Sequence, residues 1–182
     1  GLSSANCIRL IRSLNNKVIC VLGNHDLYLL AVASGVIELP KTNDSIMEIL
    51  HANDSDELIN WLRFLPLAYM EKKTILVHAG LLPNWEPKKA ILLAKEVTVG
   101  LQSDNWKDFM SELWGNNPDR WDEDLRGHER NTAIVNGLTR IRFIDIDGKM
   151  DFYNKQSPSF SQKQLLPWFS HPSRLSKNYK IV

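Results

Sequence analysis

The chain has 182 residues, 43% of them hydrophobic, and carries 22 Lys and Arg against 21 Asp and Glu. A chain of this length has enough interior for the core of one domain. Its net charge of +1 argues against a duplex-binding protein, which needs a concentrated basic face, so we expect no nucleic-acid partner. Two cysteines and no apolar run near the roughly 20 residues that cross a bilayer favour a reduced, cytoplasmic protein without a membrane partner.

The first part of the chain predicts helix, strand and helix in succession. Apolar side chains from Cys7 to Leu14 recur at helical spacing and predict an amphipathic helix. Residues 17–22 hold five apolar side chains in a row, which is typical of a strand buried on both faces of a parallel sheet. Gly23 ends this strand, and a helical pattern resumes over residues 26–33.

The remainder of the chain alternates helix and strand signals. We expect a helix that is opened by a capping box of Asp54 and Glu57 and ended by Pro66, then a strand at 74–77 and helices at 87–101 and 104–113. A loop at 114–127 precedes a hairpin of strands 141–146 and 149–153, joined by a two-residue Asp147-Gly148 turn. An irregular segment at 157–172 and a last strand near 178–182 follow. These elements predict an α/β or α+β layered fold in which helices flank a mixed sheet.

Polar side chains follow two of the predicted strands, where ligands collect in open α/β sheets. Gly-Asn-His-Asp occupies residues 23–26 and His-Ala-Gly occupies residues 78–80. Asn24 offers an amide oxygen and His78 an imidazole nitrogen, donors that suit divalent ions. Because neighbouring strands lie about 5 Å apart, both donors can reach one ion, which leaves His25 for proton transfer. Taken singly, each motif is a weak signal, because a histidine after a strand is more often a hydrogen-bonded loop residue and Asn-His is also common in tight turns.

Both motifs resemble signatures of one superfamily. Residues 23–31 (Gly-Asn-His-Asp-Leu-Tyr-Leu-Leu-Ala) are similar to the third signature of the calcineurin-like metallophosphoesterases, and residues 78–85 (His-Ala-Gly-Leu-Leu-Pro-Asn-Trp) resemble the next block. Asp26, where the protein Ser/Thr phosphatases of the superfamily usually carry Glu, favours the bacterial symmetrical diadenosine tetraphosphate hydrolases. Residues 136–143 (Asn-Gly-Leu-Thr-Arg-Ile-Arg-Phe) and 167–169 (Pro-Trp-Phe) extend the resemblance over essentially the whole chain.

The resemblance implies a partial metallophosphoesterase sandwich and the symmetrical hydrolysis of diadenosine tetraphosphate, a small dinucleoside polyphosphate, to two ADP. It implies two divalent ions, Mn²⁺ foremost, with Co²⁺ or Mg²⁺ as alternatives. Asn24 and His78 match ligands of one ion, and His25 matches the acid that assists the leaving group. Arg140 lies in a shared block and is a candidate phosphate contact, with Arg126 and Arg142 as rivals.

Other blocks with which the superfamily binds metal are missing from the 182 residues, namely Gly-Asp-x-His-Gly, a Gly-Asp followed by Arg-Gly, and a late Gly-His. We therefore expect residues 1–182 to be a single metallophosphoesterase domain truncated at both ends and inactive by itself. Two alternatives stay open: a protein Ser/Thr phosphatase of the same superfamily, and a catalytically dead module that binds a nucleotide or a partner. The sequence leaves the oligomeric state undetermined.

Overall fold

The computed structural model describes residues 3–38, 44–154 and 164–182. Its helices are α1 (Ser4–Ser13), α2 (Asn24–Ser34), α3 (Asp44–Leu50), α4 (Ser55–Arg63), α5 (Pro87–Gln102), α6 (Trp106–Met110) and α7 (Gly127–Thr139). Its strands are β1 (Ala68–Glu71), β2 (Thr74–Val77), β3 (Phe143–Ile144), β4 (Met150–Asp151), β5 (Leu166–Pro167) and β6 (Lys180–Ile181). None of the described helices is long and apolar enough to span a membrane.

The strands form two three-stranded sheets. In the first, β2 pairs antiparallel with β1 and parallel with β6, so this sheet is mixed. In the second, β3 lies between β4 and β5 and pairs antiparallel with both. Helices and a mixed sheet together confirm the predicted fold class. The parallel partner of β2, Lys180–Ile181, lies where the sequence predicts a last strand.

Helix α5 confirms its predicted inner face, because all five apolar positions of the stripe are buried: Ala90, Leu93, Ala94, Val97 and Leu101. Helix α4 also forms and ends before Pro66, but the predicted capping box is wrong. The Asp54 side chain makes no cap hydrogen bond and instead accepts two from the Arg9 guanidinium, at 2.5 and 2.9 Å. A bidentate ion pair thus takes the carboxylate that the capping motif would use.

Residues 17–22 do not form the predicted strand. A 3-10 turn at Asn15–Lys17 is followed by an extended segment with no ladder among the described residues, in which the Leu22 N–H donates to the Pro66 carbonyl at 2.9 Å. Val18 and Ile19 are 37% and 48% exposed, so only Leu22 reaches the core. The apolar run has the composition of a buried strand. A strand also requires neighbouring strands that pair with its backbone, and composition does not supply them.

Two other sequence expectations change in detail. The hairpin of β3 and β4 turns through three residues, since the Asp145 N–H donates to Lys149 O and the Gly148 N–H donates to Asp145 O. Gly148 has a φ of 82°, the left-handed conformation that a bulged hairpin loop needs and that glycine adopts without strain. Of the segment predicted to be irregular, residues 157–163 lie outside the described residues, whereas β5 and a 3-10 turn at Trp168–Ser170 form beyond them.

Candidate active site

Helix α2 begins at Asn24, two residues before the predicted start, so Asn24 and His25 lie in its first turn rather than in a loop. Gly23 is the N-cap residue, and its N–H donates to Asp26 Oδ2 at 2.8 Å. This local bond satisfies a backbone donor and fixes the angle at which the chain enters the helix. The Asp26 carboxylate therefore shapes the turn that presents Asn24 and His25.

The side chains of Asn24 and His78 meet although 54 positions separate them. Asn24 Oδ1 lies 2.9 Å from His78 Nε2, at hydrogen-bond distance. Two adjacent ligands of an octahedral ion with bonds of about 2.1 Å lie about 3 Å apart, so the same separation suits a shared cation. The proximity predicted from the two motifs is present, while the role of the two residues as metal ligands stays a prediction.

Gly23 allows this approach. A Cβ atom added at position 23 would lie 2.7 Å from His78 Nδ1 and 2.8 Å from Cε1. The His78 ring therefore packs directly on the backbone that precedes α2, because no side chain intervenes. Strand β2 ends at Val77, so the sheet supplies His78 and the helix start supplies Asn24.

Asn24, His25 and His78 line one cleft of about 600 Å³. Among the described residues, two arginines, Arg140 and Arg142, line it as well, against a single carboxylate, that of Asp151. Asp151 Oδ1 accepts the backbone N–H groups of residues 153 and 154, at 3.2 and 2.6 Å. Because cationic side chains outnumber the one carboxylate, the cleft favours an anionic ligand.

Arg140 follows the last residue of α7 and is half-buried. Its Nη1 donates to Gly115 O at 3.1 Å and to Asn136 Oδ1 at 2.8 Å, and its Nη2 donates to Asn116 Oδ1 at 2.9 Å. The guanidinium also lies 4.6 Å from the ring centroid of Phe152. Burial lowers the pKa of Arg140 from its ordinary value. Neutral partners position the group without cancelling its charge, which leaves that charge available to an anion in the cleft.

The two rival arginines differ in position. Arg142 is exposed and lines the cleft beside Arg140. Arg126 is the N-cap residue of α7, donates to the backbone carbonyls of Glu123 and Leu125 at 2.8 Å each, and is not among the residues that line the cleft. The candidates for a phosphate contact within the cleft are therefore Arg140 and Arg142.

The described residues supply only part of a metal site. Among them, no group of three or more His, Cys, Asp and Glu side chains could hold an ion. The amide oxygen of Asn24 and the imidazole of His78 are nevertheless donors that a divalent ion accepts, and they already converge. The chemistry of this pair fits two positions in the coordination shell of one ion.

Sequence reasoning did not assign a role to the aromatic wall of the cleft. Phe152, directly after β4, and Trp168 and Phe169, directly after β5, line it. The available signal was the Pro-Trp-Phe sequence at 167–169, which served only to extend the resemblance. The polar residues that follow the strands predicted the cationic end of the cleft. An aromatic residue gives no such signal, because its local sequence does not show whether the side chain lies in a cleft or in the core.

Comparison with known proteins places this site in a family. The chain matches the calcineurin-like phosphoesterases over residues 1–172, and it belongs to this family.

Among curated proteins it is similar to relatives named "Bis(5'-nucleosyl)-tetraphosphatase, symmetrical". It is 45% identical over 182 residues to that of Aromatoleum aromaticum, covering 100% of the chain and 67% of the relative. The identity is 42% to those of Janthinobacterium sp. and Burkholderia mallei, of which the chain covers 66% and 64%. The chain thus spans about two thirds of the length of these relatives.

Proposed function

We propose that this chain serves the symmetrical hydrolysis of diadenosine tetraphosphate to two ADP. The observation that carries the proposal is the convergence of Asn24 Oδ1 and His78 Nε2 at 2.9 Å in a cleft lined by two arginines. The relatives' shared name gives the substrate class, and a linear tetraphosphate is an anion of the kind that a cationic cleft attracts.

Two divalent ions, Mn²⁺ foremost, supply an activated water and neutralise phosphate charge when they are bound. Asn24 and His78 hold one of them. Because the described residues offer no cluster of three or more titratable ligands, the remaining ligands come from outside the described residues. In this proposal residues 1–182 are one incomplete metallophosphoesterase domain, and the chain alone binds Mn²⁺ weakly.

The other polar residues of the cleft act on the substrate itself. His25 is exposed beside the Asn24–His78 pair and donates a proton to the oxygen that bridges the two central phosphorus atoms as that P–O bond breaks. Arg140 and Arg142 orient the flanking phosphate oxygens. The leaving group is itself a phosphate and leaves readily, so the contribution of His25 lies near the lower end of general acid catalysis, about 10²-fold in kcat.

Two histidine variants test these roles in the protein encoded by the complete reading frame. We expect His78→Ala to weaken Mn²⁺ affinity by at least about tenfold, because it removes one of two convergent ligands. We expect His25→Ala to keep its metal and lose about 10²-fold in kcat. Metal content is measured by elemental analysis after dialysis, and ADP release from diadenosine tetraphosphate is measured by chromatography.

Each variant controls the other. Metal loss in His25→Ala would show that its role is misassigned, and unchanged metal stoichiometry in His78→Ala would remove the ligand role. Release of ATP and AMP in place of two ADP would refute symmetrical cleavage. A phosphopeptide assayed in parallel tests the protein phosphatase alternative, which predicts turnover of the peptide and none of the dinucleotide.

The two cysteines, Cys7 and Cys20, are both free thiols. Free thiols fit a reducing compartment, and the proposal therefore includes a cytoplasmic location. Burial, together with the nearby Asp26 carboxylate, raises the pKa of the Cys20 thiol, which keeps it protonated and unreactive.

A further inference from the structure

Phe169 is an exposed aromatic side chain in the aromatic wall of the cleft. It lies in the 3-10 turn Trp168–Ser170 and is 52% exposed. It lines the same cleft as His25, His78 and Arg140. An exposed phenyl ring leaves apolar surface in water, and a planar ligand that covers it recovers that free energy.

The ring packs against Trp168, which is itself well packed. Trp168, only 9% exposed, contacts Phe169 edge to face, with ring centroids 5.8 Å apart and an interplanar angle of 85°. The backbone N–H of Trp168 donates to the backbone carbonyl of Arg142 at 3.1 Å. At Gly80, a Cβ atom would lie 2.3 Å from Trp168 Cε2, so the indole rests directly on the backbone two residues beyond His78. The elements that position the phosphate-binding and metal-binding candidates therefore also position Phe169.

We propose that Phe169 is a stacking platform for one nucleobase of the substrate, which makes it a specificity-determining residue. The inference rests on the proposed function, because a dinucleoside polyphosphate brings a planar base and a polyphosphate to one cleft. Phosphate lies at Arg140 and Arg142, and the attached base lies against the exposed face of the Phe169 ring. Stacking of a base on an aromatic side chain contributes about tenfold in affinity.

Stacking predicts little discrimination between bases. Every base offers a π face, so stacking on Phe169 favours no particular base. We therefore expect ADP and GDP to bind within about threefold of each other. The platform selects nucleotides over bare polyphosphates and does not select adenine over guanine.

The test measures binding of ADP and of inorganic pyrophosphate by calorimetry in the presence of Mn²⁺, using the protein of the complete reading frame. We expect Phe169→Ala to weaken ADP about tenfold and pyrophosphate less than about twofold. Phe169→Leu, which keeps apolar volume without an aromatic face, should lose nearly as much. Phe64→Ala is the matched control, because that phenyl ring is 49% exposed and does not line the cleft.

Steady-state kinetics with diadenosine tetraphosphate give a second readout. Phe169→Ala should raise KM about tenfold with kcat within about twofold, since stacking acts equally on bound substrate and transition state. Equal weakening of ADP and pyrophosphate, or unchanged ADP affinity in both Phe169 variants, would overturn the platform. Absence of ADP formation by the wild type would instead overturn the proposed function, so the two failures are distinguishable.

Discussion

Two regions of the molecule, a helical layer and the cleft, differ in how far their side chains are buried against one another. In the helical layer, formed by α5, α7 and Trp85, the indole is fully buried, and a Cβ atom at Gly137 would lie 2.7 Å from its Cη2 atom. In the cleft, His25 and His78 are exposed, and one hydrogen bond joins His78 to Asn24. Side chains in the layer are packed against one another. Those in the cleft stay exposed, so their polar atoms remain available to a ligand. Stability should therefore depend on the first region and binding on the second.

The largest expected effect is the loss of stability when Trp85 is removed from the helical layer. Trp85→Ala removes an indole that also meets Trp121 edge to face at 5.2 Å, so we expect a loss of about 3–5 kcal/mol. For a chain of this size that lowers Tm by roughly 6–20 °C, measured by circular dichroism. Leu92→Ala, on the same layer but 64% exposed, is the control and should cost less than about 0.5 kcal/mol.

A conservative variant sharpens this result. Trp85 Nε1 is buried and has no hydrogen-bond partner among the described residues. Trp85→Phe discards that unsatisfied donor and keeps most of the ring, so it should cost clearly less than Trp85→Ala. If both variants melted within 2 °C or so of the wild type, the layer would not be the stabilising half of the molecule.

An intermediate effect is expected at Arg140, where the two regions join. The side chain extends from the end of α7 into the cleft and binds Gly115 and Asn116. Arg140→Met removes three hydrogen bonds, one of them to the buried Asn136, so we expect a loss of about 1–3 kcal/mol together with about tenfold weaker pyrophosphate binding. Arg142→Met should weaken pyrophosphate several-fold while the stability changes by less than about 0.5 kcal/mol.

The two measurements separate a structural role from a binding role. A less stable Arg140→Met that binds pyrophosphate as the wild type does would make Arg140 a purely structural link between α7 and residues 115–116. Arg140→Lys adds a second check, because lysine keeps the charge and loses the planar fork that serves three acceptors. It should recover part of the binding and little of the stability.

The same contrast explains what the sequence could predict. Helix α5 is half buried, so its apolar stripe shows the helical period and its inner face is predicted correctly. Helix α7 escaped prediction, because its residues 132–139 are all buried and leave no polar face to set the period. The end of β2 was predictable from its apolar run, and the convergence of Asn24 with His78 was predicted from the two motifs, although the strand expected before Asn24 does not form and α2 begins two residues early.

What escaped prediction depends on contacts that are distant in sequence. The approach of Trp168 to Gly80, which accompanies the placement of Phe169 in the cleft, arises only when β5 docks beside β3. Likewise, the Arg9 guanidinium that takes the Asp54 carboxylate lies 45 positions away. Local patterns record which residues prefer a helix or a strand, but they do not record which side chain competes for a given acceptor.

The smallest expected effect concerns the rim of the helical layer and its response to pH. The Glu123 carboxylate accepts hydrogen bonds from Lys89 Nζ and, at 2.8 Å, from Trp121 Nε1. The bond from Lys89 is the largest of the causes that hold the pKa of Glu123 below its usual value, ahead of the bond from Trp121. Because the pKa in the folded state is the lower one, the stabilisation is complete above the unfolded value of about 4.3 and is lost as the pH falls through the folded pKa.

Glu123→Gln should therefore lower Tm near neutral pH by less than about 3 °C, since the side chain is 64% exposed and such pairs contribute at most about 1 kcal/mol. The difference from the wild type should shrink as the pH falls below about 4 and vanish once Glu123 is protonated, as measured by thermal melts from pH 7 to pH 3. Asp124→Asn, which removes a 98% exposed carboxylate from the next residue, controls for the change in net charge. A difference that stayed constant across this range would mean that the ion pair does not contribute and that the loss in Glu123→Gln comes from packing around Trp121.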